Sequence, residues 1–223
     1  MRERFKLILI LTLLAVVGCK AKLRSQNEKA SYAIGQQMVQ NMREQNLELD
    51  VDALTLGIRD SYKKTNQLSA QEMQQALLAM QQQASTKQSQ EAEVNGKAAR
   101  EFLEKNKANS DIKVTKSGLQ YVVEKPGTGP TPKAQDTVKC HYRGTLLSGA
   151  EFDSSYGRGQ PAEFPVTGVL KAWTEALQMM KVGEKIKLFV PPELGYGASS
   201  RPNIPANSLI IFELELISIN KKS

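Results

Sequence analysis

The sequence predicts an α+β protein in two unlike parts. An all-α N-terminal region ends in a long connecting helix, and an antiparallel β-sheet wrapped on one short helix follows it. Three observations carry this reading. All nine prolines of the 223-residue chain lie at position 126 or later. Between residues 25 and 109 apolar side chains recur at helical spacing. From about residue 110 short alternating runs sit between Gly and Pro turns, and this stretch holds nine of the 13 aromatics and 11 of the 15 glycines.

The first element is an address. Arg2, Arg4 and Lys6 face one Glu3, and Leu7 to Gly18 is a run of uncharged, mostly apolar residues. That run is too short to span a bilayer, which needs about 20 residues. A basic start followed by a short apolar run reads as a secretory signal peptide. It closes in Val16-Val17-Gly18-Cys19, which resembles a bacterial lipobox. The resemblance implies cleavage after residue 18, lipidation of Cys19, and a tether over residues 19–28. An ordinary signal peptide with an incidental Cys is the alternative. Lys20 is not the Asp that, in lipoproteins of this kind, goes with retention at the inner membrane. The resemblance therefore implies a lipid-anchored protein of the bacterial cell envelope, at the outer membrane and facing the periplasm.

Charge and cysteine content exclude several classes. Removing residues 1–18 takes away three basic residues and one acidic residue, so the formal charge falls from +7 to +5. The remainder is spread thinly, with no basic stripe, and nucleic-acid binding needs a concentrated footprint. Two cysteines rule out a disulfide scaffold. Neither has a second Cys or a His at metal-ligand spacing, so no metal site and no cofactor are expected.

The helical region, residues 29–109, comes next. Ala30, Ile34, Met38 and Met42 repeat every four residues, as do Leu54, Ile58 and Tyr62, with Asp52 available as a cap. Ser69 and Glu72 have capping-box spacing. Met73, Leu77, Met80 and Ala84 continue an apolar stripe beyond it, which predicts one helix over residues 69–106, about 55 Å long at about 1.5 Å per residue. Residues 81–90 are polar and lack Gly and Pro, which favours helix over spacer. Helices this poor in aromatics do not bury all their stripes alone. Either a second copy completes the core or the Met-rich stripe closes on itself in a monomeric hairpin.

In residues 110–223, Leu119–Val123 reads as a strand. Val138, Cys140 and Tyr142 share one face of the next strand, with Lys139, His141 and Arg143 on the other. Ile186, Leu188 and Val190 alternate in a third. Residues 208–217 make a long last strand with Ile210, Phe212, Leu214 and Leu216 on one face. Val169, Trp173, Ala176, Leu177 and Met180 mark one amphipathic helix.

Five segments then occur in order: Val138–Gly144 (VKCHYRG), Gly149–Ser155 (GAEFDSS), Val169–Trp173 (VLKAW), Pro191–Ala198 (PPELGYGA), and Ile204-Pro205 with Phe212. Together, over roughly residues 115–219, they resemble the FKBP-type peptidyl-prolyl cis-trans isomerase family. The helical segment resembles, more weakly, the N-terminal dimerisation region of macrophage infectivity potentiator proteins and their periplasmic relatives. The resemblance implies a homodimer through residues 29–109 and an FKBP-type domain over 110–223. It also implies isomerisation of X–Pro bonds in envelope or secreted client polypeptides, and binding of macrolide inhibitors.

Such a reaction needs no nucleophile. Rotation about X–Pro faces a barrier of about 18–20 kcal/mol because it breaks amide resonance. The twisted amide is less charge-separated than the planar one, so an apolar, water-poor pocket favours it. Carried over from the family, the walls are Tyr142, Phe152, Val169, Leu170 and Phe212, and the floor is Trp173. Tyr196 supplies a phenol to a substrate carbonyl. Asp153 is a polar rim contact paired with Arg158, and Ile204 adds an apolar side chain and a backbone N–H. Taken singly, Trp173 and Phe212 also read as core, Asp153 as a turn residue and Tyr196 as a loop anchor. His141 falls off the pocket face, and Cys140 reads as a small buried hydrophobe. Ala162 stands where the family often has an aromatic, Ala172 replaces a usual Gly, and Arg201 stands where well-known small members have His. A different class remains: a holding chaperone or adhesion lipoprotein in which isomerase activity is incidental.

Overall fold

The computed structural model describes residues 22–44 and 47–220. The signal peptide expected over residues 1–18, and Cys19, lie outside the described residues. The described residues divide into two compact units, parting between residues 41 and 42.

The N-terminal helices are set by their caps. Helix α1 spans Gln26–Glu44. Ser25 Oγ accepts the Glu28 N–H at 3.1 Å, and the Glu28 carboxylate accepts the Ser25 N–H at 3.0 Å, a reciprocal cap that the sequence reading missed. Helix α2 spans Val51–Lys63 and is capped by Asp50, which accepts from Ala53 N–H at 2.9 Å. Asp52, the cap expected from sequence, sits in the first turn instead, where its charge suits the helix dipole. Helix α3 runs Ala70–Asn106, 37 residues, and opens with the Ser69/Glu72 capping box as predicted. Residues 81–90 are helical within it.

Apolar side chains on these helices stand in solvent. Ile34, Ile58, Tyr62 and Leu77 are exposed by 67, 56, 92 and 62%. Only toward its C-terminal end does α3 bury residues, Gly96 and Ala99.

The sheet comprises β1 (Lys113–Val114), β2 (Gln120–Lys125), β3 (Thr137–Leu146), β4 (Glu151–Ser154), β5 (Ala162–Pro165), β6 (Lys185–Val190) and β7 (Ile210–Asn220). The order is β1-β2-β6-β7-β3-β4, with β5 also paired to β3. Every pairing is antiparallel. Helix α4, Lys171–Leu177, packs against one face of the sheet. Val138, Cys140, Tyr142, Ile186, Leu188, Val190, Ile210, Phe212, Leu214 and Leu216 form one core with Trp173, Ala176, Leu177 and Met180. The alternation read from sequence thus holds on all three long strands. The short helix is tighter than its apolar spacing suggested, for Val169 and Met180 flank it.

The opposite face of β6 is covered too. Phe189 is 8% exposed and its ring packs on Phe102 of α3 at 5.6 Å. Gln120 joins the same contact, donating to Leu103 O at 2.9 Å and accepting from Asn106 Nδ2 at 2.9 Å.

Candidate active site

A cleft of about 360 Å³ opens between the sheet and α4. It is lined by Tyr142, Phe152, Asp153, Phe164, Gly168, Val169, Leu170, Trp173, Tyr196 and Phe212. Eight of the ten residues predicted from sequence for catalysis or substrate binding are therefore brought together here. Arg158 stands beside them through its contacts with Asp153 and Tyr142.

Trp173 is the floor. It follows the N-terminus of α4, is 4% exposed, and meets three rings edge-on. These are Tyr142 at 5.1 Å and 79°, Phe164 at 5.5 Å and 89°, and Phe212 at 5.1 Å and 78°. Phe152 stands edge-on to Phe212 at 5.7 Å and to Tyr196 at 6.5 Å. Edge-to-face contacts of this kind are favourable and fix ring orientation. The Trp173 indole N–H is buried without a hydrogen-bond partner among the described residues.

Gly144 makes this box possible. It sits on β3 opposite Phe212 of β7 and Asp153 of β4. A Cβ there would lie 2.6 Å from the Phe152 ring and 2.7 Å from the Phe212 ring. A side chain at this strand position would occupy the space of two walls.

One corner is polar. The Tyr142 hydroxyl donates to Asp153 Oδ2 at 2.6 Å, and Arg158 donates to Asp153 Oδ1 at 2.7 Å and to the Tyr142 oxygen at 2.5 Å. The guanidinium also lies 5.5 Å from the Tyr142 ring centre. Burial pushes the Asp153 carboxyl up, but its hydrogen bonds from Tyr142 and Arg158 outweigh that and hold it below the usual aspartate value. Burial, and then the Asp153 carboxylate, push the Tyr142 phenol up against the opposing guanidinium. The Tyr196 phenol is likewise raised, by burial first and by the Asp153 charge second. Both phenols stay protonated at neutral pH and can donate.

Tyr142 is held from below as well as above. Its backbone N–H donates to the fully buried Ser155 Oγ at 2.8 Å, and the same oxygen is 2.9 Å from His141 Nδ1. His141 stacks on Tyr156 at 4.6 Å, off the cleft as expected. Cys140 is fully buried, and burial pushes its thiol up to about 12.

Two placements differ from the sequence reading. Ile204 is 5% exposed and is not among the cleft-lining residues; its N–H is donated to Arg201 O at 2.9 Å and so is already engaged in a turn. Phe164 was missed. It lies two residues beyond Ala162 on β5, so both face the same side, and it supplies an aromatic wall while Ala162 packs against the core. The strand period was the signal that could have found it.

Fold and cleft together define an aromatic-pocket isomerase, and comparison with known proteins agrees. Residues 129–217 match the model of the FKBP-type peptidyl-prolyl cis-trans isomerase family, and residues 27–123 match that of the domain amino terminal to FKBP-type peptidyl-prolyl isomerase. The chain is 39% identical to the FKBP-type peptidyl-prolyl cis-trans isomerase FkpA of Aeromonas hydrophila, over 91% of this chain and 80% of that one. It is 38% identical to the peptidyl-prolyl cis-trans isomerase Mip of Coxiella burnetii, over 90% of each. It is also 38% identical to the outer membrane protein MIP of Legionella longbeachae, over 89% and 88%. The crystal structure of FkpA from Escherichia coli superposes with a TM-score of 0.65 at 38% identity, covering 89% of this chain and 99% of that one. The chain belongs to the FKBP-type peptidyl-prolyl cis-trans isomerase family, and its activity is the rotation of X–Pro bonds.

Proposed function

We propose that the aromatic cleft is where this chain isomerises X–Pro bonds, and that its clients are envelope or secreted polypeptides whose folding it assists. The observation that carries the reading is the composition of the box: five rings around Trp173, Tyr142 and Tyr196 among them, with one fixed polar corner. The proline ring enters against Trp173, Phe212, Phe152, Val169 and Leu170. The walls exclude water and so favour the less charge-separated, twisted amide. Tyr196 donates to a substrate carbonyl, and Asp153, held by Tyr142 and Arg158, presents a fixed negative rim. No proton changes hands. Ile204 acts by shaping the adjoining turn.

Residues 29–109 form a homodimerisation region and 110–223 the isomerase domain, after a signal peptide over 1–18 and a tether over 19–28. The exposed apolar faces of all three N-terminal helices support the dimer, since isolated surface residues are ordinary but rows of them are not. Two clefts in one molecule let one client be held at two points. Lipidation of Cys19 anchors the protein at the outer membrane, facing the periplasm. The name of the Legionella longbeachae relative supports that location. The cleft also accepts macrolide inhibitors of the family. The same exposed faces favour a second reading, in which holding unfolded chains or adhesion is the main task and isomerisation is incidental.

Trp173 is the only tryptophan, so the cleft carries its own reporter. Titration with a short X–Pro peptide is expected to shift its emission saturably, while the matching X–Ala peptide does not. Emission unchanged by the proline peptide would contradict the assignment of the cleft.

A further inference from the structure

Tyr196 is borne by a loop whose other side is fastened to helix α3. Gly197 follows it in the left-handed region, at φ 64°. Both backbone groups of Gly197 are used: its N–H donates to Pro192 O at 2.9 Å, and its O accepts the Asn207 N–H at 2.8 Å. Asn207 is also left-handed, at φ 55°, a conformation Asn tolerates better than most residues. Its side-chain amide donates to Ala92 O of α3 at 3.3 Å. From the helix side, Asn95 Nδ2 donates to Ala206 O at 3.1 Å.

The two amides therefore cross in opposite directions between the same two segments. Gly96 packs against the same loop: a Cβ there would stand at ordinary van der Waals distance, 3.7 Å, from Asn207 Cβ. A turn earlier along α3, Gln88 reaches Ser200, farther out on the same loop. Residues 88, 92, 95 and 96 lie on one helical face, so one face of α3 follows the loop that carries Tyr196.

We propose that Asn207, together with Asn95, is a positioning residue for isomerisation: the pair clamps the Tyr196 loop to α3, and the docked helix thereby holds the Tyr196 phenol over the cleft. The proposal rests on Tyr196 donating to a substrate carbonyl. It makes α3 part of the active-site framework as well as an arm. The Asn207 carboxamide sets the loop through one charge-neutral hydrogen bond, whose net worth corresponds to roughly a fivefold change in an equilibrium.

The test uses the purified full-length chain. Asn207→Gly keeps the left-handed backbone and deletes the amide, and Asn95→Ala deletes its counterpart. Each is expected to raise KM for a short X–Pro peptide about fivefold with kcat within twofold. Hydrogen exchange should quicken across residues 195–203 but not in β3 or β7. In a Tyr196→Phe background the same changes should move KM less than twofold. Equal KM changes in both backgrounds, or unchanged exchange across 195–203, would overturn the proposal. Tyr196→Phe alone at wild-type KM would instead refute the role of the phenol, and the clamp would then be judged on the exchange, where quickening supports it and no change refutes it.

Discussion

The Tyr142 hydroxyl donates to Asp153 Oδ2 at 2.6 Å, while the ring of the same tyrosine stands edge-on to Trp173 at 5.1 Å. One side chain is thus both a wall of the cleft and the anchor of its polar corner. The Asp153 carboxyl is held below its ordinary value despite burial, by Tyr142 and Arg158. A carboxyl whose folded-state value is depressed stabilises the fold above its unfolded value, and that contribution is lost as pH falls through the folded one. Activity on a short X–Pro peptide is expected to be flat from about pH 8 down to about 5, and to fall only below the ordinary aspartate value of about 3.9. Tyr142→Phe removes one of the bonds that lower Asp153, so the carboxyl should titrate at higher pH, as read by NMR of its side-chain carbon. An Asp153 titration unmoved by Tyr142→Phe would contradict this.

Gly144 is where the sheet makes room for the cleft. Gly144→Ala would place a methyl group 2.6 Å from the Phe152 ring and 2.7 Å from the Phe212 ring. Both walls must move, at a cost of about 1–3 kcal/mol in stability and a loss of kcat/KM of roughly tenfold or more. Urea denaturation and peptide kinetics on the same preparation measure the two effects. Wild-type values for both would show that the rings are not confined by this position.

Cys140 lies two residues before Tyr142, yet its thiol is fully buried and pushed up to about 12. The thiolate is the reactive form, so at pH 8 the folded chain should resist alkylation at Cys140. In a Cys19→Ser background, iodoacetamide labelling is expected only in denaturant. Rapid labelling of the folded protein would mean that the core around β3 opens readily.

The apolar rows on the N-terminal helices make a separate expectation. The purified chain should sediment at twice its 24.7 kDa, less the proposed signal peptide where that has been removed. Ile58→Asp, at a position 56% exposed in the single chain, should shift it toward monomer while leaving kcat/KM per cleft on a short peptide within twofold. Dimer mass unchanged by this charge would place the interface elsewhere.

Much of this architecture was legible in the sequence because the relevant signals are periodic or local. Alternation placed Val138, Cys140 and Tyr142 on one face, and the Ser69/Glu72 spacing marked the start of α3. The site residues were legible differently: Asp153, Trp173 and Tyr196 have ordinary structural readings one at a time, and only the ordered set of segments gave them a common cleft. Part of what escaped was long-range. Phe189 falls on the outer face of β6 by alternation, and nothing local says that Phe102 of α3 covers it. Asn207 carries no local signal for its role, because its partner at Ala92 is 115 positions away. Asp50 rather than Asp52 caps α2, since the choice between neighbouring aspartates depends on where the backbone leaves the extended region.

The central claim is that catalysis comes from the aromatic cleft with its fixed polar corner. Its most direct test is kcat/KM for cis-to-trans isomerisation of a short X–Pro peptide, measured for the wild type and for Asp153→Ala and Trp173→Ala with folding verified by circular dichroism. The wild type should accelerate the reaction well above the uncatalysed rate, which takes tens to hundreds of seconds, and each variant should lose roughly tenfold or more. Folded variants that both retain the wild-type kcat/KM would contradict the account.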